Sequence, residues 1–238
     1  NTNDMSTPMC GDYTIGGLNP DFANFSEAAT ILNNAGISCP VRFFVRDGVY
    51  SEQIEIGQIE GTNSTNTVTF ISESEDSSLV TLQYLQYNII LDYTVKLNNA
   101  EYVYFQHLGV KRSYGDNPFI IKESNNISVL NCMLSGDISI KIESESENID
   151  INNNYFEGNY DKRICIVGSA GSLNRKIEIR HNIFPASTNY CIEISYAENV
   201  EILQNQISNF YQAIKIEYCD NVLVGYNTIE NSENYCIE

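Results

Sequence analysis

The sequence predicts an all-β chain wound into a parallel β-helix solenoid, with a single capping helix near its N-terminus. Three observations carry that prediction. First, one nine-residue motif recurs at 102–110, 126–134, 148–156, 176–184, 199–207 and 221–229, with starts 24, 22, 28, 23 and 22 residues apart. Repeats at this period mean stacked supersecondary units. Second, the second and fourth places of the motif are apolar and alternate with polar ones, as in Ile149 and Ile151 or Ile177 and Ile179. Period-two alternation is the mark of a half-buried strand. Third, a second alternating segment lies between motifs, seen at 119–121, 138–142, 192–194 and 214–216. Each coil therefore carries at least two short strands, joined by Asn/Ser/Gly/Glu-rich corners with no room for a helix.

The elements follow in order. Residues 1–9 are polar and expected to be loose, and Cys10 to Ile15 read as a first strand ended by Gly16-Gly17 and Asn19-Pro20. The helix signal comes next. Asn24 stands ready to cap, Glu27 follows three residues on, and Phe25, Ala28, Ala29 and Leu32 share one face. Gly36 suits a left-handed stop. Such a helix would cover the open apolar end of the first coil, which spans residues 40–56. Residues 67–74 and 79–97 continue the strands, with 61–66 as an exposed loop. The recurrent Asn154, Asn182, Asn205 and Asn227 would stack one strand spacing apart, roughly 4.8 Å, each amide bonding the next. The whole of 1–238 reads as one domain, with 1–40 as cap and 41–238 as coils expected to continue beyond the given chain.

The repeat with its asparagine column resembles the right-handed parallel β-helix proteins of the pectin lyase-like superfamily. Asp47-Gly48-Val49-Tyr50-Ser51-Glu52-Gln53-Ile54, after the helix and an apolar strand, resembles the opening segment of pectinesterase-like proteins. The whole string from Gly11 to Ser74 looks more specifically like large secreted β-helix proteins of Bacteroidota. That resemblance implies a piece of a long surface or secreted chain, of the kind exported as type IX secretion cargo, although no C-terminal secretion tag is present here.

Thirteen basic against 31 acidic residues give a net charge of −18. A surface so acidic is a poor match for nucleic acid. It also opposes an acidic polysaccharide, unless calcium or a local basic patch intervenes; solubility of a secreted protein explains the same charge. No run approaches the roughly 18 apolar residues of a membrane span. The start at Asn1 rather than Met reads as a processed or cut N-terminus compatible with export. The expected location is secreted or cell-surface.

Seven cysteines leave at least one without an internal partner. Cys10 and Cys39 flank the first strand and the strand after the helix, where a disulfide would tie cap to coil. Cys165, Cys191, Ala213 and Cys236 fall into one place of the repeat and are expected to point inward and stay reduced. No Cys-x-x-Cys knuckle suggests zinc. His107 and His181 share a turn-side place. No nucleophile elbow or phosphate loop occurs, and the motifs of polygalacturonase-like enzymes and pectinesterases are missing. Lys111-Arg112, Lys162-Arg163 and Arg175-Lys176 read as loop charges. Three Asn-x-Ser/Thr sequons, at Asn24, Asn63 and Asn126, read as chance matches.

One geometric candidate remains. Asp150, Glu178 and Glu201 hold the same outward place in three consecutive motifs, with Arg180 on the same face. Stacking would set the carboxylates near the separation of about 5 Å used by retaining glycosidases. It would also suit calcium, the one cofactor the sequence suggests. A solvated acidic face explains the same column without any function. The leading expectation is a scaffold or carbohydrate-engaging surface, with a polysaccharide or cell-surface glycan and the secretion machinery as partners. A polysaccharide lyase or glycoside hydrolase, and a purely structural stalk, are the alternatives.

Overall fold

The computed structural model describes residues 7–85, 92–112, 117–158, 160–185, 187–234 and 236–237. The expected parallel β-helix forms. Each coil runs through three sheets in turn, A, B and C, of nine, eight and seven strands. One coil shows the plan: Glu147–Asn152 lies in sheet A, Tyr155–Phe156 in B and Tyr160–Val167 in C, and Asn174–Arg180 returns to A. All three ladders are parallel. Sheet B is the strand per coil that alternation did not reveal. Members such as Tyr155–Phe156 and Ile183–Phe184 hold one inward residue each, too few to show a period.

The corners explain the polar residues of the repeat. His107, Asn131, Asn153, His181, Gln204 and Tyr226 turn the chain from A to B with φ between 53° and 57°. The first place of every motif, from Tyr102 to Asn221, is also left-handed, at φ 50–57°. Asparagine tolerates that region better than most residues, which accounts for Asn126, Asn148, Asn199 and Asn221.

The asparagine column is a continuous ladder. Asn154 Nδ2 donates to Val129 O at 2.8 Å and to Asn182 Oδ1 at 3.1 Å, and its backbone N–H reaches the same Oδ1. Asn182 repeats this towards Asn205, and Asn205 towards Asn227. Asn154, Asn182 and Asn205 are buried, so these bonds satisfy groups that no water reaches. Cys132 takes the same place one coil earlier, and its N–H closes the ladder on Asn154 Oδ1. A second ladder at the C-to-A corner was not foreseen: Ala100, Ser124 and Ser146 N–H groups donate in turn to Ser124 Oγ, Ser146 Oγ and Asn174 Oδ1.

Between the ladders the core is a stack of apolar rows. Phe43, Phe70 and Phe105 lie ring on ring at 4.6 and 5.1 Å, and Phe156 on Phe184 at 4.4 Å.

The helix Phe25–Ala35 forms as read, with Asn24 Oδ1 accepting from Glu27 N and Gly36 at φ 65°. Phe25, Ala28, Ala29 and Leu32 are its buried face. Phe25 packs edge-on to Tyr50 at 5.2 Å and over Phe70 at 6.0 Å, so the helix covers the first coil. Glu52, from that coil, accepts hydrogen bonds from Phe25 N, Ser26 N and Ser26 Oγ at the helix N-terminus. The Cys10–Cys39 disulfide is formed and ties the strand Met9–Ile15 to Ile37–Val45. Met9 is a buried strand residue rather than part of a loose tail, and residues 1–6 lie outside the described residues.

Two readings need correction. Cys165 does not share a place with Cys191: it pairs with Lys141 and Glu193, while Ile164 pairs with Ile192. It therefore lies on the outer side of sheet C, buried only because longer side chains lie over it; Cys191 and Ala213 do join the core, and Cys236 is exposed. The repeat slipped by two residues because alternation cannot distinguish a shift of one full period. The supposed loop cations are strand residues, in Gly109–Arg112, Tyr160–Val167 and Asn174–Arg180. Arg112 and Arg163 are buried, bonding Tyr93 O and Glu157 O at corners.

Candidate functional sites on two sheet faces

Sheet A carries the carboxylate column. Ser128, Asp150, Glu178 and Glu201 stand directly opposite one another on successive strands. Arg180, two residues along from Glu178, reaches Glu178 Oε2 at 3.2 Å and bonds Glu201 as well. Its guanidinium thus holds the place between the two carboxylates that a cation would take. Asp150 has no such partner. It is half-buried, and Oδ1 is a buried atom without a hydrogen bond. Burial first and Glu178 second push its carboxyl up from the ordinary value, with Arg180 pulling the other way. Asn148, Lys176 and Asn199 complete a shallow cleft of about 360 Å³ over these residues. Among the described residues no three His, Cys, Asp or Glu side chains converge as a metal site.

Sheet C carries a different surface, which the repeat alignment did not expose. Its central outward row reads Glu55, Lys96, Ile120, Lys141, Cys165, Glu193 and Lys215, one from each strand. With Lys122 and Lys162 in flanking rows, five of the chain's seven lysines stand on this face. Six strand spacings give the row a length of roughly 29 Å. Two clusters of lysine, tyrosine and glutamate mark it. In one, Lys96 Nζ lies 3.1 Å from Glu55 and 5.5 Å from the centre of the Tyr93 ring, and Tyr93 OH donates to Glu55. Burial, then Glu55, pushes the Tyr93 hydroxyl up to about 12. In the other, Lys162 and Lys215 flank both Glu193, at 2.5 and 3.5 Å, and the Tyr190 ring, at 5.8 and 5.4 Å. Burial raises the Glu193 carboxyl, but the two lysines outweigh it and hold the net value below the ordinary one. Tyr196 and Tyr218 stack at 4.9 Å where strands Ser187–Ser195 and Gln212–Glu217 end.

The three buried free thiols offer no ready nucleophile. Burial pushes Cys132 up to about 12, Cys165 up to about 11 and Cys191 well above its usual value, so all three are protonated thiols at neutral pH. His107 and His181 sit at equivalent turns and face Asn131 and Asn152, far from a nucleophile pairing.

The fold and its two decorated faces define a helix-capped parallel β-solenoid whose outer sheets present regular ladders of side chains. Residues 92–238, more than half of the chain, match the family described as the right-handed beta helix region, and the chain belongs to that family. No curated protein sequence matches it. Among solved structures, jun a 1, the major allergen from cedar pollen, superposes with a TM-score of 0.58 at 11% identity, over 90% of this chain and 65% of its own. The pectin methylesterase from Aspergillus niger gives 0.48 at 12% identity, over 94% of this chain and 92% of its own. That from carrot gives 0.45 at 10%, over 97% and 88%. At these identities the likeness is one of fold.

Proposed function

We propose that this chain is the carbohydrate-engaging β-helix module of a secreted or cell-surface protein, and that the outer face of sheet C holds the glycan. The observation that carries this reading is the gathering of five lysines and the Tyr93 and Tyr190 clusters on one flat face of a chain with net charge −18. An acidic polymer is repelled by the acidic surface as a whole and meets a concentration of lysines on this face. The five lysines are paired with Glu55, Glu123, Glu143, Glu193 and Glu217, so a bound carboxylate or sulfate would exchange places with a protein carboxylate rather than meet bare charge. Tyrosine rings beside them supply the apolar surface on which sugar rings stack. The Cys10–Cys39 disulfide fits an oxidising compartment. The resemblance to secreted β-helix proteins of Bacteroidota supports a role as type IX secretion cargo for the longer chain.

The test is retention of uronate-bearing and neutral glycans by the intact chain, at low and high salt. The Lys162→Ala/Lys215→Ala pair is expected to weaken retention of the acidic glycan at least fivefold, and Glu178→Gln on sheet A to leave it unchanged. Equal retention by both variants would remove sheet C as the binding face.

A second reading rests on Asp150. A half-buried carboxyl pushed up from its ordinary value beside a second carboxylate residue, Glu178, is the kind of pair that glycoside hydrolysis uses, and new reducing ends released from a glycan, lost in Asp150→Asn, would establish it. The same digest read for unsaturated sugar tests a lyase.

A further inference from the structure

We infer that Asn63 is an acceptor for an N-linked glycan, transferred from a lipid-pyrophosphate-linked oligosaccharide. In the sequence all three sequons read as chance matches, and the fold separates them. Asn24 is committed as the helix cap, with Oδ1 on Glu27 N at 2.9 Å. The hydroxyl of its sequon, Ser26 Oγ, donates to Glu52, and the residue between, Phe25, is completely buried. Asn126 lies inside the strand Asn125–Leu130, hydrogen-bonded on both sides in sheet A. Its neighbour Ile127 is in the core, and Ser128 is stacked between Tyr104 and Asp150. A glycan at Asn24 would have to break the cap, and the Asn126 sequon is held in a strand paired on both sides with its middle residue in the core.

Asn63 differs in its placement, although its carboxamide is also bonded, Nδ2 donating to the nearby Gly61 O at 3.2 Å. It lies between the strands Ile54–Ile56 and Val68–Ser72, outside both ladders, and Asn63, Ser64 and Thr65 are all exposed. Asn63 Oδ1 accepts from Thr65 N at 2.9 Å and from Asn66 N at 3.0 Å. This turn folds the hydroxyl-bearing residue back onto the carboxamide that is to be modified. The reaction balances simply. Asn63 Nδ2 forms a bond to the anomeric carbon of the sugar, the bond from that carbon to the pyrophosphate oxygen breaks, one amide proton leaves, and the lipid pyrophosphate departs. The site is on the strand connection at the opposite end of sheet C from Tyr190, five strand spacings or roughly 24 Å away. A glycan there leaves the Tyr190 cluster and the sheet A column open and borders the Tyr93–Glu55 cluster, whose strand Ile54–Ile56 leads into the loop; the test reads the modification itself and not glycan retention.

The experiment is secretion of the full 238-residue chain from a eukaryotic host behind a cleavable signal, followed by enzymatic release of N-glycans in heavy-oxygen water and peptide mass spectrometry. The expected result is a label on Asn63 and none on Asn24 or Asn126. Thr65→Ala keeps Asn63 and its turn, removes the hydroxyl and is expected to abolish the label with the melting temperature unchanged. Secreted, folded protein with Asn63 unlabelled overturns the inference, as does labelled Asn24 or Asn126, or a label that survives Thr65→Ala.

Discussion

Asn182→Ala is the sharpest probe of what holds the solenoid together. The side chain is completely buried and makes four hydrogen bonds. Oδ1 accepts from Asn154 N at 2.9 Å and Asn154 Nδ2 at 3.1 Å, and Nδ2 donates to Ile151 O at 2.9 Å and Asn205 Oδ1 at 3.0 Å. Truncation does not affect them equally. Asn154 Nδ2 keeps Val129 O, and Asn205 Oδ1 keeps the Asn182 backbone N–H. Asn154 N–H loses its acceptor and Ile151 O loses a donor, and each buried group left so costs about 1–3 kcal/mol. The expected loss is therefore about 4 kcal/mol, far above what a surface asparagine contributes. Urea titration followed by tyrosine fluorescence reads it, since the chain has 16 tyrosines and no tryptophan. Gln206→Ala is the control, because its side chain is exposed on the outer side of the strand Gln206–Phe210; it should cost under about 0.5 kcal/mol. The complementary change, Cys132→Asn, would carry the ladder one coil further and is expected to add about 1 kcal/mol. A loss below about 1 kcal/mol for Asn182→Ala, with an unchanged slope against urea, would refute the view that the ladder's unsatisfied groups dominate.

Removing the disulfide as Cys10→Ala/Cys39→Ala should lower stability by about 3.5 kcal/mol, the loop-closure value for a separation of 29 residues, measured in the same titration. For Asp150 the sign follows from a carboxyl raised above its unfolded value. Its stability contribution is complete at acid pH and is lost as pH rises through the folded-state value. Asp150→Asn should therefore melt higher than the wild-type chain at pH 7, and the difference should vanish below the ordinary carboxylate range near about pH 4. A constant difference across that range would place the cause elsewhere than in the ionised carboxylate.

Much of the fold was readable because a solenoid repeats its constraints. Ile149, Ile177, Val200 and Val222 announce sheet A through a period of two and a spacing of one coil, and Asn154 to Asn227 announce the corner that follows. The capping helix was equally plain, since Asn24, Glu27 and Gly36 act locally. The carboxylate register of Asp150, Glu178 and Glu201 was also fixed by the pattern, as strand side chains alternate strictly. What the pattern cannot hold is anything decided across coils of unequal length. The 28 residues between the starts at 148 and 176 admit an alignment of sheet C shifted by two, and that misplaced Cys165. The same loss of register hid the lysine row, because Lys96 and Lys215 are distant in sequence from Glu55 and Glu193 and become their neighbours only when the strands stack. Charge pairing followed the same rule: Arg180 was expected on the acidic face, but its bond to Glu201 crosses between coils. Local chemistry therefore settled the turns, the helix and the inward rows. The outer faces of sheets A and C, which carry the candidate sites, were decided by the tertiary stacking, because the stacking alone sets which side chains from distant coils share a surface.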